Sequence, residues 1–281
     1  MFIEILKSIF LGIVEGITEW LPISSTGHMI IVNELLKLDV SPEFWSVYEV
    51  VIQLGAILAV IVLFLKKLLP FGFGKTKPER IGTWKLWLKI AIACVPAAVI
   101  GFFIDDWIDE HLYNYFVVAA ALIVYGVLFI VIERINKNKK FEIQSVDDFT
   151  IGTAVKIGLF QLLAFVPGTS RSGSTILGGM CIGTSRTAAA EFSFFLAIPI
   201  MVGASGLKIV KYVADYGVGF TSEELILLAV GMITAFIVSY VAIKFLMNFV
   251  RRHSFEAFGW YRIVLGVVVI GYFVLKQFVL A

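Results

Sequence analysis

The chain has 281 residues, of which 59% are hydrophobic and only 16% are charged, and its mean hydropathy is +0.94. Soluble domains carry about 25% charged residues, so this composition indicates an integral membrane protein surrounded by membrane lipids. The formal net charge of +2 excludes the strongly basic surface of a nucleic-acid-binding protein.

Apolar runs of about 20 residues are long enough to cross a bilayer as helices. Six such runs occur in the sequence, at 45–65, 84–104, 115–132, 190–210, 224–247 and 258–279. The earlier apolar stretch before residue 15 lacks a small-residue cleavage site, so we expect it to be retained. Positively charged loops stay in the cytoplasm, which predicts that loops 66–85, 133–148 and 248–257 lie inside and that the acidic loop 105–113 lies outside.

This arrangement leaves two segments that begin and end on the same side of the membrane. Residues 1–38 must start and finish outside, and residues 151–183 must start and finish inside. Each is too long for a loop and is interrupted by a proline and a small polar turn, so we interpret both as re-entrant helix–turn–helix hairpins. The predicted fold is an all-α polytopic membrane protein, with six transmembrane helices plus two re-entrant hairpins in a single integral membrane domain of residues 1–281.

The two halves of the chain, about 8–134 and about 154–279, repeat one pattern of a hairpin followed by three spans. Because three is odd, the second half is predicted to be inverted relative to the first. The sequence GIVE at 12–15 also resembles GLFQ at 158–161. Inverted repeats bring broken helices together near the bilayer midplane, an architecture that suits either a transporter or an intramembrane enzyme.

The first hairpin contains Glu15 and Glu19, which are four residues apart and share one helix face. Carboxylates in an apolar helix need a cavity, a cation or each other, and Mg²⁺ and Ca²⁺ prefer such oxygen ligands. The alternative is a pair of interfacial glutamates. Glu49 and Gln53 have the same spacing inside the first full span, where they either line the same cavity or hydrogen-bond between helices.

A hydroxyl-rich turn of Ser24, Ser25 and Thr26 then precedes His28. The spacing of Ser25 and His28 predicts that hydroxyl and imidazole share one helix face within hydrogen-bonding reach, the minimum for an activated nucleophile. The alternative is plain N-capping by a hydroxyl residue, with an ordinary polar histidine.

The second hairpin contains a glycine- and hydroxyl-rich turn around Arg171, formed by Gly168, Thr169, Ser170, Ser172 and Gly173. Small residues at a helix N-terminus present backbone N–H groups to an anion, and the planar guanidinium suits phosphate oxygens. An arginine at this depth needs an anionic ligand or a carboxylate, the second option being an ion pair with Glu15 or Glu19. Either option brings the two motifs together, and the predicted ligand is a phosphate group.

A third acidic pattern, Asp105, Asp106 and Asp109, has the spacing by which prenyl-diphosphate synthases hold Mg²⁺ and diphosphate. It lies at the outer end of a predicted span. Since outer loops are often acidic, we expect an ordinary acidic loop here.

The two long motifs, EGITEWLPISSTGH at 15–28 and PGTSRSG at 167–173, resemble those of the undecaprenyl-diphosphate phosphatase family, also called the bacitracin-resistance protein family. The resemblance also includes YEVVIQLG at 48–55 and covers essentially the whole chain. It implies a multi-pass hydrolase of the bacterial plasma membrane that depends on Mg²⁺ or Ca²⁺. Its substrate would be undecaprenyl diphosphate, which yields undecaprenyl phosphate and inorganic phosphate, recycles the lipid carrier for peptidoglycan and confers bacitracin resistance.

Carried onto this chain, the resemblance implies that Ser25 attacks the terminal phosphorus and that His28 or Glu19 takes its proton or positions water. The spacing also allows His28 as the nucleophile. Arg171 and the turn at 168–170 would neutralise the phosphoryl oxygens, while Glu15 and Glu19 would hold the cation. The pocket is expected to open to the extracytoplasmic side, and a homodimer is compatible with the sequence.

Two other function classes compete with this interpretation. A transporter or flippase for a phosphorylated lipid would need only the phosphate-binding turns. A phosphatidic-acid-type phosphatase would need a Lys-x₆-Arg-Pro motif and a distal His-x₃-Asp, which this chain lacks.

Overall fold

The structure is a computed structural model that describes residues 1–72, 74–217 and 219–279, without the side chains of Phe102, Asp105, Asp106, Asp109, Phe278 and Val279. The described residues form helices and contain no strand. The helices are α1 (Phe2–Thr18), α2 (Ser25–Leu35), α3 (Pro42–Leu63), α4 (Leu65–Leu68), α5 (Lys77–His111), α6 (Tyr115–Asn136), α7 (Ile151–Gln161), α8 (Arg171–Cys181), α9 (Arg186–Tyr216), α10 (Ser222–Phe249) and α11 (Glu256–Val279). Short 3₁₀ turns lie at Val146–Asp148 and Leu162–Phe165.

The prediction of six membrane-spanning helices is confirmed for the described part of the chain. The helices long and apolar enough to cross a bilayer are α3, α5, α6, α9, α10 and α11. The protein is therefore a multi-pass, all-α membrane protein.

The predicted boundary of the second span is wrong at both ends. Helix α5 begins at Lys77, where Thr76 and Glu79 form a capping box, and it continues to His111. The segment predicted as an acidic loop is thus the last part of a helix. The capping box is strong enough to start the helix inside the basic segment, because it satisfies two otherwise unpaired N–H groups. The comparison of Asp105, Asp106 and Asp109 with the Mg²⁺-binding pattern of prenyl-diphosphate synthases concerns side chains that lie outside the described part of the structure.

Two helix–turn–helix pairs, α1 with α2 and α7 with α8, occupy the positions of the predicted hairpins. In each pair, the first helix ends shortly before a proline, at Pro22 and at Pro167, and the second begins after a hydroxyl-rich turn. A proline removes a backbone donor and clashes with a continuing helix, which explains the breaks. The re-entrant placement of the hairpins in the membrane stays a prediction.

The helix contacts are symmetric with respect to the two predicted halves of the chain. Helix α1 packs along α10 and α7 packs along α5, while α3 contacts α9 and α6 contacts α11. Each contact maps onto another, or onto itself, when the halves are exchanged. A division of the chain into repeats at about 8–134 and 154–279 would produce this packing pattern. The division itself stays a prediction.

Glycines allow the closest of these helix contacts. A Cβ atom on Gly126 of α6 would lie 2.7 Å from the carbonyl oxygen of Gly259 of α11, and a Cβ on Gly259 would lie 2.7 Å from that of Gly126. The backbones of α6 and α11 therefore touch. In a membrane, such close approach through small residues is a main source of helix association.

The same close approach between α5 and α7 makes a testable prediction. A Cβ on Gly158 would lie 2.2 Å from the carbonyl oxygen of Ala93, so Gly158→Ala should force the helices apart. We expect a loss of roughly 1–3 kcal/mol in unfolding free energy, the usual effect of overpacking, measured as a lower melting temperature in detergent. The control is Gly206→Ala in α9, where a Cβ meets nothing within 4 Å; an equal loss in both variants would contradict the prediction.

Candidate functional site

The two hairpin turns have the same unusual backbone geometry. Ser24 and Ser170 each have φ at 73°, in the left-handed region, and no other described non-glycine residue has a positive φ. The Ser24 hydroxyl accepts from the N–H of Gly27 at 3.2 Å, and the Ser170 hydroxyl accepts from that of Gly173 at 3.1 Å. Each serine thus caps the helix that follows, at a strain cost of about 1–3 kcal/mol.

Arg171 and Glu19 join the two turns directly. Arg171 Nη2 donates to Glu19 Oε1 at 3.1 Å, and Ser25 Oγ donates to Glu19 Oε2 at 2.9 Å. The Glu19 carboxylate is therefore shared between a hydroxyl from the first turn and a guanidinium from the second. The alternative prediction of an ion pair between Arg171 and Glu19 is confirmed, and it places both motifs in one site.

Helix α9 holds the arginine from the other side. Arg171 Nη1 donates to the carbonyl oxygen of Ser193 at 2.8 Å, and Thr175 Oγ1 donates to Ser193 Oγ at 2.7 Å. Ser172 of the same turn donates to the carbonyl oxygen of Glu19 at 3.1 Å. Arg171 is thus held in one orientation by Glu19 on one side and by α9 on the other.

A second arginine, which the sequence analysis missed, lies between the two turns. Arg262 of α11 is completely buried. Its Nη1 donates to the Pro22 carbonyl oxygen at 3.1 Å, and its Nη2 donates to the carbonyl oxygens of Gly168 and Thr169, both at 2.9 Å. The signal was present as a lone arginine inside the apolar run 258–279, and an ionisable residue at such a position marks a functional region.

His28 does not bond to Ser25 in the structure. One ring nitrogen, Nδ1, lies 2.7 Å from the carbonyl oxygen of Ser24, and the other, Nε2, lies 2.7 Å from the hydroxyl of Tyr261 on α11. The predicted pairing of hydroxyl and imidazole is therefore replaced by a pairing of Ser25 with Glu19. The reason is the strained turn at Ser24, which directs Ser25 back toward Glu19.

Glu15 is buried beside Glu19, as their spacing predicts. Its side chain is 1% exposed, and its Oε1 has no hydrogen-bond partner among the described residues. Glu19, Glu49 and Arg171 are near enough to act on it electrostatically. The described residues contain no group of three or more His, Cys, Asp or Glu side chains arranged to hold a metal ion.

The remaining predicted phosphate-binding residues lie in the two turns or in the first turn of the helix that follows. Thr26 is half-buried in the first turn of α2, and Thr169 and Ser172 are buried. Ser24, Ser170 and Gly173 take part in the capping hydrogen bonds. Their contribution is therefore to fix the backbone of the two turns. The predicted residues of the two turns therefore lie together in one region of the structure.

The contacts of Arg262 predict a stability effect. Arg262→Gln removes a guanidinium that serves three buried carbonyl oxygens, and we expect a loss of at least about 2 kcal/mol in unfolding free energy in detergent. Lys276→Gln on the same helix is the matched control, because Lys276 pairs with Glu34 at the surface, where ion pairs contribute little. Equal melting temperatures for the two variants would argue against the bridging role of Arg262.

Comparisons with known proteins agree with the family resemblance of the sequence. The family described as bacitracin resistance protein BacA matches residues 8–268. The undecaprenyl-diphosphatase 1 of Oenococcus oeni is 54% identical over 96% of this chain and 97% of its own length. The undecaprenyl-diphosphatase of Enterococcus faecalis is 55% identical over 97% and 98%, and the undecaprenyl-diphosphatase 1 of Clostridium acetobutylicum is 56% identical over 97% and 98%.

With a family match that covers residues 8–268, nearly the whole of the chain, the chain belongs to the bacitracin resistance protein BacA family.

Proposed function

We propose that the protein is an undecaprenyl-diphosphatase, which hydrolyses the terminal phosphate of undecaprenyl diphosphate to give undecaprenyl phosphate and inorganic phosphate. The observation that carries the proposal is the chain of contacts from the Ser25 hydroxyl to Glu19 and on to Arg171. It supplies a nucleophile, a base and a phosphate-binding cation in one site. The names of the relatives support the substrate.

Two helix N-termini supply the phosphate-binding backbone. In α2, the N–H groups of Gly27 and His28 are taken by Ser24, and in α8 the corresponding groups of residues 173 and 174 are taken by Ser170. Among the hydrogen bonds of the described residues, the first two N–H groups of each helix remain without an acceptor. Anions bind well to such groups at the positive end of the helix dipole.

Arg171 adds a charged donor to this cradle. Its Nε is buried and has no hydrogen-bond partner within the described part of the chain, although both terminal nitrogens are engaged by Glu19 and Ser193. A buried unpaired donor is costly, and a phosphoryl oxygen would satisfy it. The guanidinium would then stabilise the charge on the transferred phosphoryl group, the main task in phosphoryl transfer.

In the first step, Ser25 Oγ attacks the terminal phosphorus while Glu19 Oε2 accepts its proton. The bond between the phosphorus and the bridging oxygen breaks, and undecaprenyl phosphate leaves. Glu19 is favoured over His28 as the base for Ser25 because it already accepts a hydrogen bond from Ser25, whereas the ring nitrogens of His28 bond to the Ser24 carbonyl oxygen and to Tyr261 and not to Ser25.

In the second step, water attacks the phosphorus of the phosphoserine, and the bond to Ser25 Oγ breaks. Protonated Glu19 returns its proton to Ser25, and His28 Nε2 accepts a proton from the attacking water. The products are the free serine and inorganic phosphate. Ser25 is preferred to His28 as the nucleophile because its hydroxyl already donates a hydrogen bond to the carboxylate that would take its proton.

The buried carboxylates of Glu15 and Glu19 fit a divalent cation, Mg²⁺ or Ca²⁺. Glu15 has a buried oxygen without a hydrogen-bond partner among the described residues, and oxygen ligands of this kind suit hard cations. Mg²⁺ is commonly held by one or two carboxylates together with substrate phosphates, so a complete protein ligand set is not required. When bound, the cation would neutralise diphosphate charge.

The lipid tail would lie in an apolar groove between the two halves, within the bilayer. The loop charges support an opening of the first hairpin to the extracytoplasmic side of the bacterial plasma membrane. The reaction would then regenerate the carrier for peptidoglycan synthesis and protect against bacitracin, which sequesters the diphosphate.

The competing function is a carrier for a phosphorylated lipid, which the paired hairpins also suit. A carrier needs the backbone N–H groups and Arg171, but it has no use for a hydroxyl aligned on a carboxylate. The bond between Ser25 and Glu19 therefore favours the enzyme.

The first test is phosphate release from undecaprenyl diphosphate by purified protein in detergent with Mg²⁺ or Ca²⁺. Ser25→Ala should lower kcat at least about 1,000-fold, because it removes the nucleophile. Arg171→Lys keeps the positive charge but loses the planar guanidinium that can donate two hydrogen bonds to a phosphate, and it should lower kcat about 100-fold. Ser205→Ala is the matched control, since this buried serine of α9 donates only to the Val50 carbonyl oxygen.

A wild type that binds the lipid through Arg171 but releases no phosphate would refute the phosphatase and leave the carrier. Full activity in folded Ser25→Ala would refute the role of Ser25 and return the nucleophile to His28. Melting temperatures of each variant separate loss of chemistry from loss of folding.

The cation makes a separate prediction. Glu15→Gln keeps the size of the side chain and removes its charge, so it should raise the Mg²⁺ or Ca²⁺ concentration for half-maximal activity by about tenfold or more. Direct Ca²⁺ titration by calorimetry provides a readout without substrate. Glu191→Gln is the control, because Glu191 pairs with Lys67 at 2.6 Å; an equal change in both variants would exclude a specific role of Glu15.

A further inference from the structure

Tyr261 is a group that the proposed reaction does not use, although it touches His28. Its hydroxyl lies 2.7 Å from His28 Nε2. The two rings are also nearly parallel, with 7° between their planes and 5.6 Å between their centres. His28 is therefore held by one partner on each ring nitrogen.

The partner of Nδ1 determines where the proton of the imidazole lies. The carbonyl oxygen of Ser24 can only accept, so Nδ1, at 2.7 Å from it, must carry hydrogen. In the neutral imidazole, the other nitrogen is then an acceptor. The Tyr261 hydroxyl consequently donates to the Nε2 lone pair.

The position of Tyr261 is itself fixed by its neighbour in the chain. Arg262 donates to carbonyl oxygens in both turns, which anchors this part of α11 against the hairpins. The hydroxyl of Tyr261 is thereby aligned on the imidazole, even though the residue is 46% exposed. A side chain kept only for packing would not need this alignment.

We propose that Tyr261 is a positioning residue that fixes the direction of the Nε2 lone pair of His28, while the Ser24 carbonyl selects the tautomer. The inference rests on the proposed function, because it assigns Nε2 as the nitrogen that accepts a proton from the attacking water. The tyrosine hydroxyl holds the lone pair in place until water takes over as its partner. A base oriented by a third group is the general pattern of activated nucleophiles.

Nitrogen NMR tests this geometry without any substrate. The chain has three histidines, so His111→Gln and His253→Gln together leave His28 as the only labelled imidazole. At about pH 8, above the ordinary imidazole pKa of about 6.5, the spectrum should show a protonated Nδ1 and an unprotonated, hydrogen-bonded Nε2. Tyr261→Phe keeps the ring and removes the hydroxyl, and the Nε2 resonance should then move toward that of a free imidazole nitrogen.

Kinetics of the same variant test its consequence. Tyr261→Phe should lower kcat up to about tenfold, the rate equivalent of one neutral hydrogen bond, and leave KM unchanged. Tyr272→Phe removes a hydroxyl from the same helix α11 and should change neither the Nε2 resonance nor kcat.

An unchanged Nε2 resonance in Tyr261→Phe, or a proton on Nε2 in the wild type, would overturn the proposal. A shifted resonance with unchanged kcat would also overturn it, because the bond would then have no role in the reaction. If the wild type released no phosphate, the proposed function would fail, while the spectra would still decide whether Tyr261 orients His28.

Discussion

The buried ion pair between Arg171 and Glu19 is the contact on which the site depends. It joins the second hairpin to the first, with side chains that are 11% and 6% exposed. Removing one partner from such a pair leaves an uncompensated buried charge, which typically costs about 3–5 kcal/mol, whereas apolar residues in place of both are often tolerated. Stability alone therefore does not explain the pair. The cost of burying the pair is understandable if Arg171 binds an anionic ligand and Glu19 accepts a proton during the proposed reaction.

The two buried arginines have different tasks. Arg262 bonds through both terminal nitrogens to main-chain carbonyl oxygens in the two turns and so ties the turns together, although its Nε, like that of Arg171, is buried without a partner among the described residues. Arg171 bonds to one carboxylate and one carbonyl and keeps a buried donor without a partner among the described residues. In the proposed function, Arg262 would hold the two turns together and Arg171 would bind the phosphoryl group, and charge that is preorganised in this way is the main source of catalysis in phosphoryl transfer.

Local patterns in the sequence predict much of this architecture, because helix length and proline breaks are local properties. The six spans and both turns follow from hydropathy and from Pro22 and Pro167. The contact of Arg171 with Glu19 is one of the alternatives that the sequence leaves open, since a charge inside a membrane needs a partner. The sequence cannot choose between Glu15 and Glu19, or between a carboxylate and a ligand. The structure corrects the partner of Ser25, because helical spacing cannot reveal the left-handed backbone at Ser24. The roles of Arg262 and Tyr261 depend on α11 packing against hairpins far away in the chain, which no local pattern encodes.

The paired strain at Ser24 and Ser170 explains why these turns contain serine and not glycine. Glycine would adopt a φ of 73° without strain, but it has no hydroxyl to accept the N–H of the third helical residue. Serine incurs the backbone cost and recovers part of it through the capping bond. The cap occupies the third N–H group, and the first two N–H groups of each helix have no acceptor among the described residues. The backbone strain and the unpaired N–H groups thus have one origin, since the turn that leaves these groups without an acceptor among the described residues is the same turn that places each serine in the left-handed region.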